Sequence, residues 1–167
     1  MDMRSPTQPA PKLSFWHPAH LIATWFGSGL LPRMPGTWGS LAALPFAWIM
    51  QHYCGSLALA IAILFAISLG LWAIHVYLQS SDILDPGPVV IDEVAGQWWT
   101  LLLVPADPWL YLLGFVLFRV FDIAKPWPAS WADRHMPGAA GVMLDDLFAG
   151  IYGFIIMTGI TWSLGRL

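Results

Sequence analysis

The chain has 167 residues, 57 % hydrophobic and only 10 % charged, with a mean hydropathy of +0.64. Soluble domains average about 45–50 % apolar and about 25 % charged residues, so the composition argues against an ordinary soluble domain and for one embedded in a bilayer. A net charge of −3 without a basic run removes nucleic acid from the candidate partners, because such a surface needs a basic patch. The length suits one domain, and eleven Trp are what a lipid–water boundary favours.

Residues 1–17 are rich in proline and lack an apolar core. They read as a flexible tail ahead of a single membrane-embedded domain over 18–167. The run 19–31 is apolar but short, and Gly27 and Gly29 interrupt it. A bilayer core needs ~20 apolar residues, so an interfacial or re-entrant helix is expected there. Pro32-Arg33-Met34-Pro35 breaks the chain. The apolar run 41–53 follows, with Thr37 or Ser40 as its expected N-cap. Pro45 would kink it unless it falls in the first turn. Gly55 marks a turn, and 57–78 is the clearest transmembrane helix. Residues 80–88 form a polar loop. The run 89–104 carries Asp92 and Glu93 in its first turns, and a tight break at 105–108 returns the chain as 109–121. A loop is expected over 122–144 and a last apolar run over 147–164. The single Cys54 reads as a packing residue.

Charge sets the orientation. With the tail in the cytoplasm and 19–31 not crossing, the runs beginning at Leu41, Leu57, Val94, Trp109 and Leu147 alternate across the bilayer. Arg4, Lys12, Arg33, Arg119, Lys125 and Arg134 then share the cytoplasmic end, and Arg166 falls outside, as the positive-inside rule expects. Asp82, Asp85, Asp92, Glu93, Asp122, Asp133, Asp145 and Asp146 share that end too. Asp107 lies at the other.

The segment 118–150 gathers most of these charges, and an ionisable group in an apolar membrane chain is costly enough to point to a site. Arg119, Asp122 and Lys125 recur every three residues on one helix face. They read either as a self-neutralised ladder or as one acid flanked by two bases, fit for a phosphate and a metal. Asp92 and Glu93 lie about 100° apart on a helix; a helix N-terminus favours acids there regardless of function, and Gly96 lets another helix approach. Asp145 and Asp146 open the expected last helix. Two adjacent acids exceed one N-cap, and Asp146, Gly150 and Gly153 share a face suited to close packing. Oxygen-only ligands suit Mg²⁺ or a similar hard cation, and the five histidines show no zinc spacing. His20 and His135 are weaker candidates for headgroup contact. The glycine-bearing stretch 27–40 can offer backbone N–H groups to an anion, but it lacks the Gly-Lys-Ser/Thr ending of a Walker loop.

Four ordered blocks, GSGLLPRMPGTWGSLAALP, DPGPVVIDEVAGQ, FRVFDIAKPWPASWADR and GVMLDDLFAG, resemble the bacterial phosphatidylglycerophosphatase A family over 18–153. The resemblance implies a Mg²⁺-dependent phosphatase of the bacterial inner membrane. Its substrate would be phosphatidylglycerophosphate, and its products phosphatidylglycerol and inorganic phosphate. The resemblance implies motif acids at Asp85, Asp92, Glu93, Asp122, Asp133, Asp145 and Asp146, motif bases at Arg119, Lys125 and Arg134, and a block of Gly36, Thr37, Gly39 and Ser40. Ala139 departs from it, standing where the family often has a second glycine; strain is expected there if that position needs φ > 0.

The sequence therefore reads as an all-α, polytopic membrane helical bundle with short or re-entrant helices and a polar site at the cytoplasmic face. The candidate catalytic residues are Asp92, Glu93, Asp122 and Asp146. The candidate metal ligands are Asp85, Asp92, Glu93, Asp122, Asp145 and Asp146, and the candidate substrate-binding residues are Thr37, Ser40, Arg119, Lys125 and Arg134. A bound Mg²⁺ would lower the pKa of water, Arg119 and Lys125 would balance phosphoryl charge, and a carboxylate such as Glu93 would accept the proton. A covalent aspartyl-phosphate is the competing route. A divalent-cation transporter also clusters carboxylates among apolar helices, but nearer the bilayer midplane. A lipid-synthesis transferase would need a spaced DG…AR…G…D…D motif, which is absent, and a scaffold has no use for so many ionisable groups at one face.

Overall fold

The computed structural model describes residues 13–81 and 86–166. Residues 1–12 of the tail expected over 1–17 and the loop acids Asp82 and Asp85, the latter a candidate metal ligand, lie outside the described residues. The elements are α1 (Pro18–Ala23), a 3₁₀ turn (Ser28–Leu30), α2 (Pro35–Gln79), α3 (Ile91–Leu101), α4 (Pro108–Ala124), α5 (Ala129–His135) and α6 (Gly138–Ser163). No strand occurs among the described residues.

The 45 residues of α2 would form a straight rod of about 68 Å at 1.5 Å per residue. They do not. A Cβ on Gly39 would sit 2.6 Å from Val90, and one on Gly70 would sit 3.2 Å from Ile91. Gly39 and Gly70 would be about 46 Å apart on a straight helix, yet both press on neighbouring residues at the start of α3. The helix therefore folds back at Gly55, whose φ of 76° and ψ of 178° leave the helical region. Gly55 faces open space, so glycine is there for its backbone and not for packing. The result is two antiparallel limbs of about 30 and 36 Å, split where the turn was expected. Pro45 keeps helical backbone inside the first limb. Cys54, beside the turn, is exposed and not a packing residue.

The α2 and α6 helices are long and apolar enough to cross a membrane. Between them sits α3, the central element, of only 11 residues. It is buried except at Glu93 and Trp99. The indole of Trp98 donates to the Ala43 carbonyl at 2.9 Å, and the backbone N–H of Val90 donates to Ala23 at 2.8 Å. Against α6 the approach is backbone to backbone. A Cβ on Gly96 would lie 2.5 Å from the Asp146 carbonyl oxygen, and one on Gly150 would lie 2.5 Å from that of Gly96. Gly153 likewise leaves room for Thr100.

Several boundaries differ from expectation. The first limb of α2 begins at Pro35 behind Met34, so neither Thr37 nor Ser40 is its N-cap; proline at the first helical position is preorganised for that start. The expected loop 122–144 contains α5 and the first turns of α6. Asp145 and Asp146 therefore lie in the third turn of α6 and cap nothing. Ala139 has no positive φ; the left-handed position is Gly138, with φ 71°.

The end of the bundle away from the acids carries its own neutral pair. Asp107 caps α4, accepting from the backbone N–H groups of Trp109 and Leu110 at 2.9 and 3.1 Å, and pairs with Arg166 at 2.8 Å. The hydrogen bond from Arg166, then that from Leu110, holds its carboxyl below the usual range. Asp107 and Asp122 stand about 22 Å apart along α4. Asp107→Asn keeps a capping oxygen and loses only an exposed charge pair, which contributes little. Turnover within about twofold of wild type is the expected result in a rate assay. A loss beyond a hundredfold at normal expression would mean that Asp107 reaches the acid end.

Candidate active site

The acid end is assembled by the glycine contact between α3 and α6. Asp92 and Glu93 occupy the first turn of α3, and Asp146 projects from the third turn of α6. Asp92, Glu93 and Asp146 each offer a carboxylate oxygen, all within 4.8 Å of one another. Asp92 and Asp146 are buried. Asp92 Oδ1, Glu93 Oε2 and Asp146 Oδ2 are buried acceptors with no hydrogen-bond partner. A buried acceptor without a donor costs its full desolvation penalty, and three carboxylates together repel. A metal ion satisfies both needs at once, and the oxygen-only donor set fits a hard cation.

Arg119 backs this trio. Its guanidinium pairs with Asp122 at 2.6 Å and donates to Ser40 Oγ at 3.4 Å. The Ser40 hydroxyl donates in turn to the Gly36 carbonyl at 2.7 Å. A Cβ on Gly36 would collide with the Glu93 carboxylate and lie 3.0 Å from the Arg119 guanidinium. The N-terminus of α2 is thus pressed onto the site, and the Ser40 that accepts from Arg119 is fully buried. Thr37 lines a separate apolar groove with Pro32, Arg33, Met34 and Trp38.

Lys125 leaves the expected ladder. The α4 helix stops at Ala124, and Lys125 turns through φ 43°. Its ammonium bridges Asp133 at 2.6 Å and Asp145 at 2.5 Å, tying α5 to α6. Burial alone would lower its pKa; the hydrogen bonds it donates to Asp133 and Asp145 outweigh burial and raise it. Asp145 also accepts from the Asp146 N–H at 3.0 Å.

A cavity of about 580 Å³ is lined by Asp92, Glu93, Asp122, Lys125, Asp133, Arg134, His135, Asp145 and Asp146, with Arg119 and Ser40 behind its wall and not among the lining residues. Arg134 and His135 are exposed at its mouth. His20 is not among its lining residues; it is buried between Phe15 and Tyr77, with ring centroids 5.6 and 5.5 Å away. Burial, then neighbouring His17, holds its pKa low. Sequence reading missed Gly36 as a direct neighbour of Glu93 and the Met136-Pro137-Gly138 turn as a cavity wall. The Pro-Gly punctuation of that turn is the signal that could have found it.

A family model described as Phosphatidylglycerophosphatase A matches residues 21–161. The Phosphatidylglycerophosphatase A of Escherichia coli (strain K12) is 39 % identical over 159 residues, covering 93 % of this chain and 92 % of that protein. The protein of the same name from Haemophilus influenzae is 36 % identical over 158 residues, covering 93 % of this chain and 97 % of its own. A Bacteroides thetaiotaomicron protein named as a candidate phosphatidylinositol-3-phosphatase is 38 % identical over 154 residues, covering 87 % and 94 %. No solved structure matches the chain.

Proposed function

We propose, on the premise that this chain belongs to the phosphatidylglycerophosphatase A family, that it hydrolyses phosphatidylglycerophosphate to phosphatidylglycerol and inorganic phosphate with the help of Mg²⁺. The observation that carries the reading is the convergence of three buried, unpartnered carboxylate oxygens beside an arginine in an open cavity. Asp92, Glu93 and Asp146 would hold the cation, with Asp122 and Asp145 beside them. When bound, Mg²⁺ supplies charge against the phosphate dianion and lowers the pKa of water there. Arg119, fixed by Asp122 and Ser40, offers its charge to the phosphoryl oxygens. A carboxylate of the cluster takes the proton of the attacking water; Asp122, on the cavity wall and outside the trio, serves this role. The P–O bond to the glycerol then breaks, and the proton taken by Asp122 passes to the departing glycerol oxygen, giving phosphatidylglycerol and inorganic phosphate. Lys125 does not meet substrate directly in this scheme; it holds Asp133 and Asp145 in place.

A transporter would carry its acids at mid-helix, whereas all described acids except Asp107 cluster at one end of the bundle. The chain would be one embedded domain in the bacterial inner membrane, feeding phosphatidylglycerol synthesis from the cytoplasmic face, where Arg33, Arg119, Lys125 and Arg134 gather. Phosphate release from the purified protein on phosphatidylglycerophosphate, with Mg²⁺ and with chelator, tests the activity; no release with any divalent metal would overturn it. Orientation is tested with a single cysteine at Ser130 in a Cys54→Ser background. Little labelling by an impermeant reagent on intact cells is expected, and strong labelling would put the site outside.

A further inference from the structure

We infer that Arg134 reads the phosphodiester of the lipid, the second anion of the substrate, one glycerol away from the phosphate that is cleaved. The inference rests on the phosphatase reading above and deepens it. The cations around the cavity are not equivalent. Arg119 is held by Asp122 at 2.6 Å, and Lys125 is held by Asp133 and Asp145. Arg134 lines the cavity together with Lys125 and has no ion-pair or hydrogen-bond partner among the described residues. Its helix is nevertheless fixed, because the adjacent Asp133 is tied through Lys125 to α6. Arg134 is therefore a free charge at a set position, at the mouth and not at the base.

A dianionic phosphate seated on the buried acids leaves the rest of the lipid to pass out through that mouth. Trp131, on the same helix as Arg134 and stacked on the cavity-lining His135, is 47 % exposed, and Trp127 just before that helix is 76 % exposed, as side chains at a lipid–water boundary are. That is the depth at which a phospholipid carries its diester. The planar, always-charged guanidinium matches phosphate oxygens in pairs. Arg33 is also exposed and has no ion-pair partner among the described residues, but it lines the separate groove beside Trp38 and serves as the control.

The test uses the purified full chain in mixed micelles of neutral detergent, with phosphatidylglycerophosphate as substrate. Phosphatidylglycerol, which keeps only the diester, and inorganic phosphate, which stands for the monoester, are the inhibitors; diacylglycerol corrects for surface dilution. Arg134→Gln is expected to raise the KM and the inhibition constant of phosphatidylglycerol about tenfold. The kcat and the inhibition constant of inorganic phosphate should stay within twofold, and Arg134→Lys should recover part of the loss. Arg33→Gln should change none of these. An unchanged phosphatidylglycerol constant in Arg134→Gln, an equal rise for inorganic phosphate, an equal effect of Arg33→Gln, or no inhibition of the wild type beyond dilution would each overturn the inference while leaving the phosphatase reading intact. Absence of phosphate release by the wild type would overturn that reading and this one with it.

Discussion

Asp92→Asn and Asp146→Asn each cut turnover on phosphatidylglycerophosphate more than a hundredfold, and each raises the melting temperature of the metal-free protein. The two expectations share one cause. Three carboxylates offer oxygens within 4.8 Å of one another where the effective dielectric is low and like charges interact strongly. Asparagine keeps the volume and opens no cavity. It removes one charge and brings an N–H donor to oxygens that have none. The metal-free fold gains, and the metal site loses a ligand and a charge. A hundredfold loss corresponds to about 2.7 kcal/mol of transition-state stabilisation. A cation that binds only the native state raises its stability with concentration, so the upward shift with Mg²⁺ should be large in the wild type and shrink in both variants. Asp122→Asn should also lower turnover, but with the opposite effect on the metal-free melting temperature, because it strips Arg119 of its partner at 2.6 Å and leaves a part-buried charge unpaired. Initial rates and melting curves in chelator and in Mg²⁺ decide the matter. Near-wild-type turnover in Asp92→Asn or Asp146→Asn, or an undiminished Mg²⁺ shift in both, would place the metal elsewhere.

How far this site was legible from the sequence depended on the kind of contact. The convergence of Asp92-Glu93, Arg119-Asp122 and Asp145-Asp146 at one end follows from counting apolar runs and breaks. The Gly96 and Gly150 contact follows from small residues at helical spacing beside the acids. What escaped was local backbone geometry. Apolar runs mark where a helix meets lipid or core, and helices continue past them into the polar site. So α2 starts at Pro35 and α6 at Gly138, ahead of their apolar stretches, and Asp145 and Asp146 are interior residues and not caps. Lys125 escaped for another reason. Spacing put it on the Arg119 face, but its left-handed φ turns it toward Asp133 and Asp145. Nothing local in the sequence announces a partner 20 residues away.

The largest combined loss of stability and activity is expected from Gly96→Ala and Gly150→Ala. At Gly70, Gly114 and Gly153 an added methyl would first meet a side chain, which can shift. At Gly96 and Gly150 it would meet a carbonyl oxygen at 2.5 Å, from Asp146 in one case and from Gly96 in the other. Main chain inside a helix cannot yield alone, so α3 and α6 must move apart as bodies. Overpacking of this kind costs about 1–3 kcal/mol, sometimes more, and the shift acts on the carriers of the metal ligands. Asp92 and Glu93 ride on α3 and Asp146 on α6, so separating the helices widens the trio, and a displacement of about 1 Å can cost ~10² in rate. Both variants should melt lower than wild type, lose turnover by about a hundredfold, and show a weaker Mg²⁺ shift although every acid is retained. Gly159→Ala on the same α6 is the control. Its added Cβ meets nothing within 4 Å, and replacing a helical glycine by alanine favours the helix by roughly 1 kcal/mol, so it should melt at or above wild type with full activity. Wild-type turnover in Gly150→Ala would mean that the carboxylate trio does not depend on the α3–α6 contact. An equal loss in Gly159→Ala would mean that α6 tolerates no added methyl anywhere, and the packing explanation would fail.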